Sequence, residues 1–270
     1  MRFDVLGPAG AGRESELRAR FEREAQATCS LRSPHTIELY DFGIAEDGTF
    51  YYVMELLDGF DLQVLIDRFG PIPTLRAVQL LKQVCHSLAE AHADGLIHRD
   101  IKPANVYVCR YGRDVDFVKV LDFGLVKPQQ REGPTQLDIT AENAARGTPG
   151  FMAPEQVVGD REPDGRSDIY ALGCLGYWLV TGRLVFTGRT AIETILQHVQ
   201  GEPVPPSQRS SLEVPRSFDE LILACLAKNP DDRPPTADDV AARLSAIERE
   251  CSDDSVREWW EQLHPAPSRA

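Results

Sequence analysis

Two short polar motifs, separated by a predicted strand pair, constrain this sequence more than any other feature. The run at residues 98–105, His-Arg-Asp-Ile-Lys-Pro-Ala-Asn, places Asp100 and Asn105 five residues apart on one loop. The triplet Asp-Phe-Gly starts at Asp122, 17 positions after Asn105, and directly follows the apolar run 117–121. We expect these three oxygen-bearing side chains to converge on one site, so the loop must fold beside the end of the strand.

Composition bounds the class of protein. With 270 residues, the chain can bury a large core as one domain or as two small lobes. Hydrophobic residues make up 42% and charged residues 26%, and no apolar run approaches the ~18 residues of a membrane span. The six cysteines are scattered without a C-x-x-C pair, which favours reduced, buried thiols and a cytoplasmic location.

The net charge of −13 limits the kinds of partner. No basic stripe is present, which argues against a nucleic-acid backbone as partner. The acidic excess either favours basic protein substrates or serves only solubility.

Hydrophobic periodicity predicts a small region with strands followed by a larger helical region. A helix at 14–31 precedes strands at 36–40 and 49–56, which are joined through the turn Asp47-Gly48. Ser167 is predicted to cap a wholly apolar, buried helix. The other predicted elements are helices at 74–93, 168–181, 191–200, 218–227 and 237–248 and strands at 106–109 and 117–121.

The order and separation of the two motifs resemble the catalytic loop and metal-binding turn of protein kinases. The resemblance covers roughly residues 4–250 and is nearest to bacterial serine/threonine kinases of the eukaryotic-like type. It implies an α+β, bilobal fold with a curtailed sheet lobe at 1–57, a complete helical lobe at 58–250 and a tail at 251–270. It also implies ATP and Mg²⁺ as cofactors and proteins bearing serine or threonine as substrates.

The resemblance gives chemical roles to the polar residues near the motifs. Asp100 would accept or orient the proton of the attacking hydroxyl, and Lys102 would lie against the transferring phosphate. Asn105 and Asp122 are the implied Mg²⁺ ligands, since Mg²⁺ prefers oxygen donors and takes few of them from protein. Thr148 would hydrogen-bond Asp100 and Lys102.

The nucleotide side is implied by residues outside the two motifs. Glu24 would be the helix glutamate that pairs with an ATP-binding lysine, and Met54 would be the gatekeeper. The hinge would include Glu55 and Leu57. Asp58 would contact the ribose, and Tyr107 would form the floor under the base. Ordinary core packing stays open as the alternative interpretation for Met54 and Tyr107.

Other implied residues support the site. His98 and Phe123 would stack in the apolar column that joins the lobes. Glu155 would form a buried pair with Arg233, and Asp168 would brace the catalytic loop.

Arg99, directly before Asp100, implies regulation. The resemblance implies that this arginine binds a phosphate group added to the activation segment, here residues 126–146. Thr135 and Thr140 are the candidate acceptors, with Thr140 preferred, although both could be plain polar loop residues. Asp138 or Glu142 could instead supply a permanent negative charge.

The chain departs from the kinase pattern near its start. It has no glycine-rich loop, and the ATP-gripping lysine falls on Asp4. A carboxylate ~4 Å from a phosphate charge is opposed by about 4 kcal/mol at an effective dielectric of 20. We expect residues 1–12 to be poorly ordered, because a lone hairpin offers them little support.

Two functions therefore stay open. The first is an ATP- and Mg²⁺-dependent protein serine/threonine kinase whose full-length form has an N-terminal extension. The second is a catalytically silent kinase-like binding module. The tail residues Trp259 and Trp260 would dock on the helical lobe or recruit a partner, docking being the preferred interpretation.

Overall fold

The structure, a computed structural model, describes residues 2–3, 22, 25–45, 49–112, 114–123, 149–159 and 161–250. The strands form two antiparallel three-stranded sheets, which most of the helices follow along the chain. One large hydrophobic core joins the helices to the second sheet, and a smaller cluster around Ala25 and Tyr52 lies at the first sheet.

The first sheet has the order β1-β3-β2, with β1 at Arg2–Phe3, β2 at Leu39–Ile44 and β3 at Phe50–Met54. The short strand β1 pairs with β3, so the predicted hairpin gains a third strand. This pairing differs from the expectation that residues 1–12 are poorly ordered; of that segment, only residues 2–3 are described. Residues 25–30 are helical, within the helix predicted at 14–31.

The predicted strand at 36–40 is wrong in its position. Thr36 forms a bridge with Val120, and the Ile37 backbone N–H donates to the Val120 carbonyl at 3.0 Å. Those residues therefore connect to the second sheet, and β2 begins only at Leu39. The strand predicted at 49–56 is shorter, because the chain leaves the sheet after Met54.

The second sheet has the order β4-β5-β6, with β4 at Gly59–Asp61, β5 at Val106–Tyr111 and β6 at Asp114–Val120. Its strands run longer than the predicted 106–109 and 117–121. Alternation along a strand gives the β5–β6 hairpin two faces. The core face carries Val106, Val108, Val118 and Val120, and the opposite face carries Tyr107, Cys109, Phe117 and Lys119.

The central helix of the helical region is α4 at Gly165–Thr181, and every residue from Ser167 onward is buried. Its predicted cap is wrong: Asp164 is the N-cap and accepts from the Arg166 N–H at 2.9 Å. The Ser167 hydroxyl instead donates to Glu155 at 2.6 Å. The helix ends at Gly182, whose φ of 64° is the left-handed conformation that glycine adopts without strain.

The remaining helices surround α4. They are α1 at Leu62–Phe69, α2 at Thr74–Ala93, α3 at Pro154–Val158, α5 at Ala191–Gln200, α6 at Arg216–Cys225 and α7 at Ala237–Glu250. The bounds of α2 and α5 match the predicted ones, whereas α6 begins and ends two residues earlier than predicted and α7 ends two residues later. Within the described ranges, no helix is both long and apolar enough to cross a bilayer.

Candidate active site

The backbone of the loop at 98–105 is hydrogen-bonded to one carboxylate of α4, that of Asp168. Asp168, 1% exposed, accepts the backbone N–H of His98 at 2.8 Å and that of Arg99 at 2.7 Å. His92, in the last turn of α2, lies with its Nε2 2.8 Å from the same carboxylate. Arg99 has a φ of 66°, an uncommon conformation for a side-chain-bearing residue, so these hydrogen bonds hold a strained backbone in place.

Asp100 is the centre of a compact polar group. Lys102 Nζ donates to its Oδ2 at 2.8 Å, and the Asn105 amide nitrogen donates to its carbonyl at 2.9 Å and to its Oδ2 at 3.3 Å. The side chains of Asp100 and Lys102 are 19% and 23% exposed, so the pair stays open to an incoming molecule. The three predicted side chains of this loop are therefore brought together.

His98 is buried and links the loop to the strand end. Its Nε2 donates to the Leu121 carbonyl at 2.7 Å, and its Nδ1 accepts from the Asp100 N–H at 3.2 Å. Both bonds fit one neutral tautomer, with the proton on Nε2. Burial lowers the pKa of His98, against the smaller opposing effect of Asp168, which agrees with a neutral ring. That ring lies 4.7 Å from the ring of Phe123, measured between centroids.

Asp122 lies beside the loop because Leu121 donates its N–H to the Asn105 carbonyl at 2.9 Å. Its φ of 59° turns the chain sharply at the end of β6. Burial raises the pKa of Asp122, and the charge of Asp100 raises it further, although His98 and Lys102 act in the opposite direction.

The donor set fits a Mg²⁺ ion. A carboxylate that is disfavoured in its charged form by burial and by a second carboxylate gains from a nearby cation. Because the Asn105 amide nitrogen faces Asp100, its amide oxygen is left for another partner. Over the described residues, no three His, Cys, Asp or Glu side chains form a metal cluster, and Mg²⁺ needs only one or two carboxylates when it retains waters.

The linker from Met54 to Asp58 connects the two sheets. The Glu55 N–H donates to the Glu38 carbonyl at 3.0 Å, Leu56 is fully exposed, and Leu57 is half-buried. The Asp58 carbonyl accepts from the Arg110 N–H at 3.1 Å, while its side chain is exposed. Tyr107, half-buried, lies on the face of the second sheet opposite the valines, together with Lys119.

Glu155 and Arg233 form a buried bidentate pair, with both N···O distances at 2.8 Å. Burial raises the pKa of Glu155, but hydrogen bonds from Arg233 and Ser167 outweigh this effect and leave the pKa below its ordinary value.

The residues from 10 to 243 match the family described as protein kinase domain. This chain belongs to the protein kinase family.

Curated relatives place the kinase domain in the bacterial, eukaryotic-like serine/threonine branch. It is 41% identical over 235 residues to serine/threonine-protein kinase pkn3 of Myxococcus xanthus, covering 86% of this chain and 42% of that protein. It is 38% identical over 242 residues to PknB of Mycolicibacterium smegmatis, covering 88% of this chain and 37% of that protein. The chain thus spans about two fifths of the length of these relatives.

Solved structures confirm the predicted α+β kinase fold, with its small sheet lobe and larger helical lobe. The kinase domain resembles that of Mycobacterium tuberculosis PknI with a TM-score of 0.64 at 27% identity, covering 86% of this chain and 79% of that one. It resembles Rad53 in complex with AMP-PNP with a TM-score of 0.68 at 25% identity, covering 83% and 53%.

Several predicted residues of the kinase domain lie outside the described part of the chain. They are Glu24, Thr135, Thr140, Thr148, the lysine-equivalent Asp4 and the tail pair Trp259 and Trp260.

Sequence reasoning missed two contacts of the site. Gln156 accepts the Ala153 N–H at 2.9 Å and donates to the Arg99 carbonyl at 3.2 Å, which ties α3 to the loop. Lys119 forms an ion pair with Glu55. Neither contact has a local signal, because a polar residue such as Lys119 between two core valines is the ordinary alternation of a strand.

Proposed function

We propose that this chain is an ATP- and Mg²⁺-dependent protein serine/threonine kinase domain. The observation that supports this most is the group formed by Asp100, Lys102 and Asn105, held on Asp168 and placed beside Asp122. A binding module without chemistry has no need of all these polar contacts in one half-open place.

In this proposal Asn105 and Asp122 would hold Mg²⁺, which neutralises charge on the terminal phosphates of bound ATP. Asp100 accepts or orients the proton of the substrate hydroxyl. Lys102, already 2.8 Å from Asp100, offers its ammonium to the transferring phosphate.

The nucleotide base would lie at the linker. The backbone of Glu55 and Leu57 would bond the base edge, with Met54 behind it, Tyr107 beneath it and Asp58 near the ribose. Glu24 and Thr148, outside the described residues, would complete the nucleotide and substrate sides. The complex of the similar Rad53 with AMP-PNP supports a nucleotide as ligand.

Arg99 would respond to phosphorylation of the activation segment, at Thr140 or Thr135. Within the described structure its Nε is buried and has no hydrogen-bond partner, which suits an anion that arrives later.

The second candidate is a catalytically silent kinase-like module. Asp4 favours it, since the kinase pattern implies a lysine at that position. A carboxylate in place of that lysine would oppose phosphate binding.

Transfer of radiolabelled phosphate from ATP to a generic basic protein, with Mg²⁺ and the 270-residue chain, separates the two candidates. We expect labelled serine or threonine, and a loss of about 10²–10⁴-fold in rate for Asp100→Asn with an unchanged melting temperature. A folded wild-type chain that neither binds ATP nor transfers phosphate would refute the kinase proposal and favour the silent module.

A further inference from the structure

Lys119 is a buried lysine whose ammonium pairs with a carboxylate of the linker. Its Nζ lies 2.6 Å from Glu55 Oε1, and the two side chains are 5% and 12% exposed. It also donates to the Thr36 carbonyl at 3.3 Å. The rings of Tyr111 and Phe117 complete its surroundings, with centroids 5.4 and 5.9 Å from the ammonium.

Glu55 is fixed at both its backbone and its side chain. It is the first residue after β3, and its N–H donates to the Glu38 carbonyl at 3.0 Å. Its Oε1 accepts the Glu38 N–H, also at 3.0 Å, in addition to the Lys119 ammonium. The start of the linker therefore has one preferred position relative to β2 and β6.

The same lysine is coupled to two other parts of the site. In the β5–β6 ladder, Lys119 stands directly opposite Tyr107, so both side chains lie on the face away from the helical core. Along β6, Lys119 precedes Asp122 by three residues. The Lys119 side chain thus connects the linker to β6, the strand that pairs with Tyr107 and leads to the proposed metal ligand Asp122.

We propose that Lys119 and Glu55 are positioning residues for the nucleotide base. Their ion pair fixes the linker over the sheet face that carries Tyr107, and so sets the width of the space between the linker and Tyr107 in which the base would lie. This inference rests on the proposed kinase function. A buried ion pair contributes little net stability compared with an apolar pair of similar volume. Its consequence is geometric, because Glu55 can meet the ammonium only when the linker lies over β6.

The test uses the full chain with Glu55→Gln, Lys119→Met and the double variant, and measures KM for ATP, kcat and the Kd of Mg²⁺–ATP by calorimetry. Each single change should raise KM and Kd by about tenfold, which corresponds to about 1.4 kcal/mol, and leave kcat within about twofold. The double variant should lose less affinity than the product of the two single losses, because no buried charge is left unpaired.

Lys82→Met is the matched control, since it removes a lysine–glutamate pair of the α2–α7 contact, Lys82–Glu248 at 2.5 Å. It should leave KM and Kd unchanged. A lower melting temperature without a change in Kd for Glu55→Gln, or a fall in kcat at constant KM, would overturn the inference. A wild-type chain that binds no ATP would instead refute the proposed function itself, so the two failures are distinct.

Discussion

Glu155 and Arg233, 78 residues apart in the chain, form a pair in which all five N–H donors of the arginine are used. Two bonds go to the Glu155 carboxylate, both at 2.8 Å. The other three reach the backbone carbonyls of Ala227, Arg166 and Lys228 at 2.8, 2.8 and 3.1 Å. One side chain therefore ties α3 to the start of α4 and to the segment after α6.

Arg233→Met should destabilise the fold by about 3–5 kcal/mol in urea unfolding, because it leaves the Glu155 carboxylate buried and unpaired. Arg216→Met, which removes an exposed i,i+4 pair with Glu220, should cost less than about 0.5 kcal/mol. Equal losses in the two variants would contradict a special role for the buried pair.

The same pair should give a characteristic acid response. The folded-state pKa of Glu155 lies below its ordinary 4.5, so its contribution is present above that value and is lost as pH falls through the folded pKa. In Arg233→Met this contribution disappears, so we expect a smaller loss of stability between pH 5 and pH 3 than in the wild type, measured by urea midpoints.

Asp168→Asn should lower kcat by about 10²-fold with KM for ATP nearly unchanged. His98 and Arg99 donate to different oxygens of Asp168, and in the variant one of these oxygens becomes an NH2 group that cannot accept, so one loop N–H loses its acceptor and the loop carrying Asp100 shifts. Steady-state kinetics check this. Asp164→Asn, at the exposed N-cap of the same helix, serves as control and should leave kcat at the wild-type value.

His198 should make stability depend on pH between about 4 and 6.5. Burial and then the charge of Lys228 lower its pKa from 6.5 to about 4, so in this range the unfolded chain takes up a proton that the native state refuses. At about 1.36 kcal/mol per pH unit, stability falls by up to about 3 kcal/mol as pH drops through this window. Above pH 6.5 this contribution is constant.

The measurement compares urea unfolding of wild type and His198→Gln at pH 7.5 and pH 5. The variant should lose about 2 kcal/mol less than the wild type on acidification. A parallel loss in both proteins would show that other groups cause the acid sensitivity.

Asp122→Asn should raise the melting temperature of the chain without nucleotide or metal at pH 7, by about 1–3 °C. Burial raises the pKa of Asp122, so its ionised form at neutral pH costs folding free energy that the amide avoids. The cost is complete above the raised pKa and absent below the ordinary 3.8, so the difference should vanish in acid. Scanning fluorimetry across pH checks this, and a lower melting temperature at pH 7 would refute it.

The sequence predicted best those elements whose signals are local. The bounds of the helix at Thr74–Ala93 could be predicted because its apolar spacing is regular and Gly95 follows it closely. The residues of the 98–105 loop could be expected to meet because they are neighbours in the chain.

The errors arise where a distant partner decides. The sequence predicts that Thr36 and Ile37 belong to a strand of the first sheet, but in the structure both pair with Val120 of the second sheet. Ser167 reads as a cap, but its hydroxyl goes to Glu155, and Asp164 caps the helix instead. The Lys119–Glu55 pair escaped prediction for the same reason, since nothing near either residue in sequence identifies its partner.

The two faces of the β5–β6 hairpin restrict how this gene can change length. Since neighbouring side chains alternate, an indel of one codon within Phe117–Val120 would exchange the valine face for the face carrying Lys119. Such a change would turn the Lys119 ammonium towards the apolar core and would also remove its ion pair with Glu55 of the linker. Length variation should therefore be tolerated only at the hairpin tip around Gly112, where the chain already adopts a left-handed turn with φ of 61°.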